Sequence, residues 1–237
     1  MDDSKIGWTD HTWNPWQGCT KVSEACRHCY IARWLRLHGL EPFDGPIRTK
    51  EGTWRAPSKW TRAASRDGSR LRIFTCSLSD FFHADADAWR AEAWEIIKEC
   101  KHLDWLVLTK RPELINDRLP NDWGQSYPNV WLGVTVENQQ QIGRIDILSK
   151  MPSAIRFVSA EPLLGPVRLG RRIRHLDWMI TGCEQAVKDK QRTMDPNWVR
   201  SIKNECDAAG VALFHKQYYD GTRLTYDGQI DSEVRQS

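Results

Sequence analysis

The chain has 237 residues, with 34 basic and 31 acidic side chains and a net charge of +3, so it can bury a sizeable core but is not a strongly basic chain. No apolar run approaches the roughly 18 residues of a membrane span, and Met1-Asp2-Asp3 lacks the basic and apolar regions of a signal peptide, so no membrane contact and a cytoplasmic setting are expected. Seven cysteines cannot all pair, which argues against a disulfide scaffold.

A short strand is expected just before Cys19, in the segment Trp13-Asn-Pro-Trp-Gln-Gly-Cys19. Cys26-Arg-His-Cys29 follows, and three thiols this close in a chain with no sign of secretion point to a metal centre rather than to disulfides. Between Asp44 and Arg72 eight basic residues (Arg48, Lys50, Arg55, Lys59, Arg62, Arg66, Arg70, Arg72) meet three acidic ones, with Trp54 and Trp60 interleaved. We read this as a basic insertion. Cations with flat aromatics can hold DNA or RNA by phosphate attraction and base stacking; the competing reading is a solvated insertion whose tryptophans pack on the domain.

From Leu71 onward short apolar runs alternate with amphipathic stretches, the rhythm of βα units. Strands are expected at Arg72–Cys76, Asp104–Thr109, Asn129–Val136, Ile155–Ser159, Trp178–Thr181 and Val211–Phe214, about seven with the first. Helices are expected over Ala86–Cys100, from Pro112, from about Asn138 to Lys150, and over Pro196–Ala209 between an Asp195 N-cap and a Gly210 stop. Continuous apolar strands are covered on both faces, which favours a parallel sheet and a partial or closed (β/α) barrel of six to seven units. Residues 1–219 read as one α/β barrel domain, and 220–237 as a polar tail.

In such barrels chemistry collects at the carboxyl ends of the strands. Those positions are polar here: Ser77, Ser79 and Asp80; Thr109, Lys110 and Arg111; Glu137 and Asn138; Ser159 and Glu161; Gly182 and Glu184; His215, Lys216 and Gln217. Together with the cysteine loop they would form one polar pocket. The lone His38, His83, His102 and His175 show no metal-ligand spacing, and no phosphate-binding glycine fingerprint occurs.

Three cysteines leave a fourth coordination position unfilled. An iron–sulfur cluster normally takes four, so three would leave one iron open to a cofactor. Zinc, closed by His11 or His28, is the rival. Cys26-Arg-His-Cys29 resembles the second half of the radical S-adenosylmethionine signature, in which the residue before the last cysteine, here His28, lies against the adenine; the first gap, six residues, departs from the superfamily's usual three. A closer resemblance is to a phage-associated three-cysteine-motif family of uncharacterised radical-SAM-like proteins. It is carried by Trp8-Thr-Asp-His-Thr-Trp-Asn-Pro-Trp-Gln-Gly-Cys19, Cys26-x-x-Cys29-Tyr, Ser159-Ala-Glu-Pro-Leu-Leu-Gly165 and Phe214-His-Lys-Gln217; a Gly-Gly-Glu-Ser-Gly stretch of that family reads Gly182-Cys-Glu-Gln-Ala186 here.

The resemblance implies a TIM-barrel-like fold and a [4Fe-4S] cluster on Cys19, Cys26 and Cys29 that binds S-adenosylmethionine. The cofactor's reductive cleavage, fed by an external electron donor, yields a 5′-deoxyadenosyl radical. By the same analogy Ser77, Ser79 and Asp80 face the methionine end, Glu137 or Asn138 the ribose, and Glu161, Glu184 and Lys216 serve substrate binding or proton transfer. Nucleic acid modification or repair is the substrate class that phage association implies. The alternative is a non-catalytic, zinc-stapled nucleic-acid-binding protein.

Overall fold

The computed structural model describes residues 4–186, 190–219 and 224–226. In chain order the elements are β1 (His11–Trp13), β2 (Trp16–Gln17), α1 (Tyr30–Leu37), β3 (Ile47–Arg48), α2 (Glu51–Asp67), β4 (Leu71–Thr75), α3 (Asp87–Glu99) and β5 (Leu103–Thr109). There follow β6 (Val130–Thr135), α4 (Gly143–Leu148), β7 (Ile155–Ala160), β8 (Trp178–Thr181), α5 (Pro196–Ala209), β9 (Ala212–His215), β10 (Gln217–Tyr219) and β11 (Leu224–Tyr226). Seven strands form one sheet in the order β1-β4-β5-β6-β7-β8-β9. The ladders β1–β4, β4–β5, β7–β8 and β8–β9 are parallel. Every residue of β6, β8 and β9 is buried, as the continuous apolar runs require of strands covered on both faces.

Contacts divide the chain into two units. The first comprises residues 1–22, 31–132 and 151–154. Its core is aromatic: Trp13 is fully buried with its ring 5.1 Å from Trp105 and 5.9 Å from Trp54, and Trp16 lies 5.2 Å from Phe81.

The stretch expected to be a basic insertion is the short β3, antiparallel to β2, followed by the long helix α2. Trp54, Pro57, Trp60 and Ala64 fall on the buried face of α2, so its tryptophans are core residues. Pro57 has no N–H to offer the Thr53 carbonyl four residues back. That oxygen accepts the indole N–H of Trp13 at 3.0 Å instead, so the proline fixes the helix against β1.

The second unit comprises residues 23–30, 133–150 and 155–237. Gly133 in β6 lies against Phe157 of β7, where a Cβ would come within 2.4 Å of the ring. Helix α5 is capped as its sequence indicates: the Asp195 carboxylate accepts from the Asn197 amide at 2.8 Å, and Gly210 turns left-handed at φ 69°. Within the tail, β11 pairs antiparallel with β10; residues 220–223 and 227–237 lie outside the described residues. Among the described residues no helix is long and apolar enough to cross a membrane.

Candidate functional site

The segment leading into Cys19 is fixed from several sides. Asn14 accepts the Leu78 amide at 2.8 Å and its side-chain amide donates to Ser77 Oγ at 3.0 Å, while Ser79 Oγ donates to the Gly18 carbonyl at 2.5 Å. Gly18 itself has φ +95°, and a Cβ there would sit 2.3 Å from the Gly45 carbonyl oxygen, so only glycine fits before the first cysteine. Ser77 and Ser79, expected at the cofactor's methionine end, thus hold the backbone of the cysteine loop's first arm. Cys76 precedes them with φ +63°, an uncommon conformation for a non-glycine residue, and swings the chain out of β4.

Asp80 is buried and accepts four bonds: from the Phe82 amide at 3.0 Å, Thr109 Oγ1 at 2.7 Å, the Lys110 amide at 3.0 Å and Arg111 Nη1 at 3.2 Å. Its carboxylate positions Arg111, whose guanidinium reaches Cys19 Sγ at 3.6 Å and donates to the Thr20 carbonyl at 2.8 Å and Thr20 Oγ1 at 2.7 Å. Burial opposes the charge on Arg111, but Asp80 and Cys19 beside it hold its pKa above the ordinary arginine value. A fixed cation therefore lies against the first thiol.

His83 Nε2 lies 2.9 Å from Thr20 Oγ1 and its Nδ1 accepts the Asp85 amide at 3.2 Å. Burial, and then Arg111, push its pKa down. The ring is thus a neutral Nε2–H tautomer that supports Thr20.

In the second unit the turn Glu24–Cys26 and the residues after β8 form another network. Arg192 donates from Nε and from its own amide to Glu184 Oε2, each at 3.0 Å, and from Nη1 to Glu24 Oε1 at 2.9 Å. Glu184 is 2% exposed. Burial alone would raise its pKa, yet the Arg192 hydrogen bonds more than offset this and hold it below the ordinary value. His28 Nδ1 lies 3.5 Å from Glu184 Oε2. The expected catalytic Glu184 is accordingly the counter-ion of Arg192 and the neighbour of His28. Neither Arg192 nor the salt bridge to Glu24 was visible in local sequence.

Glu161 pairs with Lys216 and accepts Gln217 Nε2 at 3.0 Å, while Gln217 also donates to the Cys183 carbonyl at 3.1 Å. Gly182 leaves room for them, since a Cβ there would meet Glu161 and Gln217 at 3.3–3.4 Å. The ends of β7, β8 and β9 are thereby knitted into one polar cluster. Glu137 is wholly buried; its Oε2 accepts Arg144 Nη1 at 2.8 Å, whereas its Oε1 meets no donor. Asn138 spends its side-chain oxygen on the Gln140 amide at 3.0 Å, so of the two residues expected at the ribose Glu137 keeps an unused acceptor.

All seven cysteines are thiols. Among the described residues no three His, Cys, Asp or Glu side chains are gathered around one ion position. Cys19 belongs to the first unit and Cys26 and Cys29 to the second. The three cysteines fall within eleven residues of sequence, Cys19 beside the Arg111 guanidinium and Cys26 two residues after Glu24, which Arg192 holds.

The chain belongs to the family described as "Protein of unknown function (DUF5131)", whose profile matches residues 3–229. No curated protein matches it. Its fold is similar to solved structures of spore photoproduct lyase. One, a mutant with bound AdoMet and dinucleoside spore photoproduct, has a TM-score of 0.53 at 14% identity over 86% of this chain and 62% of that one. The lyase complexed with dinucleoside spore photoproduct gives 0.53 at 16% identity, over 86% and 62%; a further mutant gives 0.53 at 13% identity, over 95% and 70%. The chain thus spans under two thirds of the length of the first of these. At such identities the likeness establishes the fold alone, a parallel α/β sheet like that of spore photoproduct lyase, in agreement with the α/β class read from the sequence.

Proposed function

We propose that this chain is a radical S-adenosylmethionine enzyme that acts on nucleic acid. The observation that carries the reading is the cysteine loop. Its first arm is pinned by Arg111 on Asp80 and its second by Arg192 on Glu184, two buried carboxylates that follow β4 and β8 of a sheet shared with an AdoMet-binding fold. Cys19, Cys26 and Cys29 would hold a [4Fe-4S] cluster, which, when bound, supplies the electron for reductive cleavage of S-adenosylmethionine to a 5′-deoxyadenosyl radical; an external donor feeds it.

The chain's own residues would then divide the work. His28, whose Nδ1 lies 3.5 Å from Glu184 Oε2, offers its ring to the adenine. Glu137 Oε1, a buried acceptor without a donor, suits a ribose hydroxyl. Ser77, Ser79 and Asp80 act toward the cofactor's methionine end through the backbone and the arginine they position. Glu161, Lys216 and Gln217 form the polar wall for substrate binding or proton movement.

The dinucleoside bound by the structural neighbour supports a nucleic acid substrate. Phage association and a cytoplasmic setting, implied by sequence alone, complete the proposal. Anaerobic reconstitution followed by iron, sulfide and zinc analysis tests it. About four irons per chain, with 5′-deoxyadenosine released from S-adenosylmethionine under reduction, is the expected result. Stoichiometric zinc without sulfide would overturn it and establish a zinc-stapled binding protein.

A further inference from the structure

We infer that the outward face of α2 is a docking surface for the phosphodiester backbone of a nucleic acid, gripped through phosphates alone. This rests on the proposed nucleic-acid-directed function and names its contact surface. Arg55, Lys59, Arg62 and Arg66 stand at i, i+4, i+7 and i+11, and all four are exposed. At about 1.5 Å per residue they make one cationic stripe roughly 16 Å long.

The other basic residues of this stretch are placed elsewhere, and the acidic Asp67 ends the helix. Arg48 stacks on Trp54 at 3.7 Å and donates to Glu92 at 3.0 Å; Arg70 forks onto Asp104; Arg72 lies 4.0 Å from Asp10; Lys50 precedes the helix. On the stripe Arg55 leans on Glu51 at 3.4 Å, at its N-terminal end. Arg62 and Arg66 turn Nε onto carbonyls of their own helix, at 2.8 and 3.4 Å, which lays their guanidinium groups along its surface.

Like charges three and four residues apart repel and lower helix stability. A polyanion lying along the helix would relieve that repulsion, and a row of phosphates supplies charge complementary to the stripe over its length. On α2 the partner's bases have nothing to stack on, because its Trp54 and Trp60 are 2% and 4% exposed. Contact through phosphates alone is therefore tolerant of sequence and gains nothing from unstacked bases.

The stripe also begins at a useful place. The β2–β3 ladder sets Gln17 opposite Ile47 and Trp16 opposite Arg48, joining the entry of α2 to the two residues before Gly18 and Cys19. A strand held on α2 would be delivered to the start of the cysteine loop.

The test is fluorescence anisotropy of the full chain with duplex DNA of random sequence, with a single strand of equal length, and with anionic phospholipid vesicles, across a salt series. Four phosphate contacts predict a slope of log affinity against log salt of about −3 to −4 on duplex, from about −0.9 per neutralised phosphate, with no dependence on sequence. The combined variant Arg55→Gln, Lys59→Gln, Arg62→Gln, Arg66→Gln keeps strong helix formers, so it should melt like the parent yet lose binding at least tenfold with a slope near zero. Arg168→Gln with Arg171→Gln, which removes charge outside α2, should leave binding unchanged.

No duplex affinity at low salt, an unchanged slope in the α2 variant, or tighter binding to vesicles than to DNA would overturn the inference. Binding needs no cluster, so the two readings fail separately. DNA binding by a chain that takes up no iron overturns the enzyme and keeps the surface; 5′-deoxyadenosine formation without DNA binding does the reverse.

Discussion

Arg192 and Glu184 are joined through three donors, the guanidinium at Nε and Nη2 and the Arg192 amide, while the same guanidinium reaches Glu24 in the turn that ends at Cys26. Glu184 is buried and Arg192 side-chain exposure is 27%. Replacing Arg192 with Met leaves a buried carboxylate without its counter-ion, and should destabilise the protein by about 3 kcal/mol, the low end for a broken buried pair. Glu184→Gln should cost less, since no unpaired charge remains buried. Urea unfolding of both variants, beside iron uptake on reconstitution, checks the order.

The same pair gives an acid limb to stability. The Glu184 carboxyl is held below its ordinary value of 4.5 in the folded chain, so the folded state binds fewer protons there than the unfolded state. Its contribution is complete above that ordinary value and is lost as pH falls below it, through the lowered folded value. Melting temperature measured against pH should fall less steeply on the acid side for Glu184→Gln than for the parent. Parallel curves would refute the assignment.

Arg111 offers a second test on the other arm. Its planar fork donates to Asp80, Cys19 and both oxygens of Thr20, a set that a lysine ammonium cannot reproduce. Arg111→Lys should therefore lower the melting point, by an amount equivalent to about 2 kcal/mol for hydrogen bonds lost to charged and buried groups. It should also reduce iron content after reconstitution, with Cys26 and Cys29 unchanged. Full iron loading in this variant would show that the guanidinium does not position Cys19.

Strand positions were legible because β6, β8 and β9 are apolar runs up to a polar residue at the end of each, and helix α5 because its Asp195 and Gly210 caps are local signals. Helix α2 was not, since its stretch was read from its charges, as a basic insertion or as solvated surface. Its apolar residues, Trp54, Pro57, Trp60 and Ala64, did lie on one helical face. The site residues were found by position at strand ends, but their partners were not. The Arg192–Glu24 bond spans 168 positions and the Arg111–Cys19 contact 92, separations over which no local pattern operates. Hence Asp80 and Glu184 were expected to meet cofactor or substrate, whereas in the structure each holds an arginine.

Gly18→Ala tests the geometry just ahead of Cys19. The positive φ and the Gly45 carbonyl, 2.3 Å from a hypothetical Cβ, mean that backbone rather than a flexible side chain must move. Strain at such a position is typically about 1–3 kcal/mol, and the displaced peptide would pull Cys19 from Arg111. We expect reduced stability and reduced iron uptake together. Gly39→Ala, at φ +73° but with nothing within 4 Å, serves as the control and should affect only stability.

The seven thiols should separate by reactivity. Cys76, Cys100, Cys183 and Cys206 are buried, and burial pushes their pKa up: Cys100 and Cys183 to about 11, Cys206 to about 12, Cys76 well above the ordinary value. Since the thiolate is the nucleophile, all four should resist iodoacetamide at mildly alkaline pH in the folded, metal-free chain. Cys19 and Cys29 are partly exposed, so alkylation should begin with these two. Peptide mapping by mass spectrometry reads the order directly. Cluster reconstitution before alkylation should then protect Cys19, Cys26 and Cys29 and leave the other four unchanged; labelling of Cys19 in a fully iron-loaded chain would remove it from the ligand set.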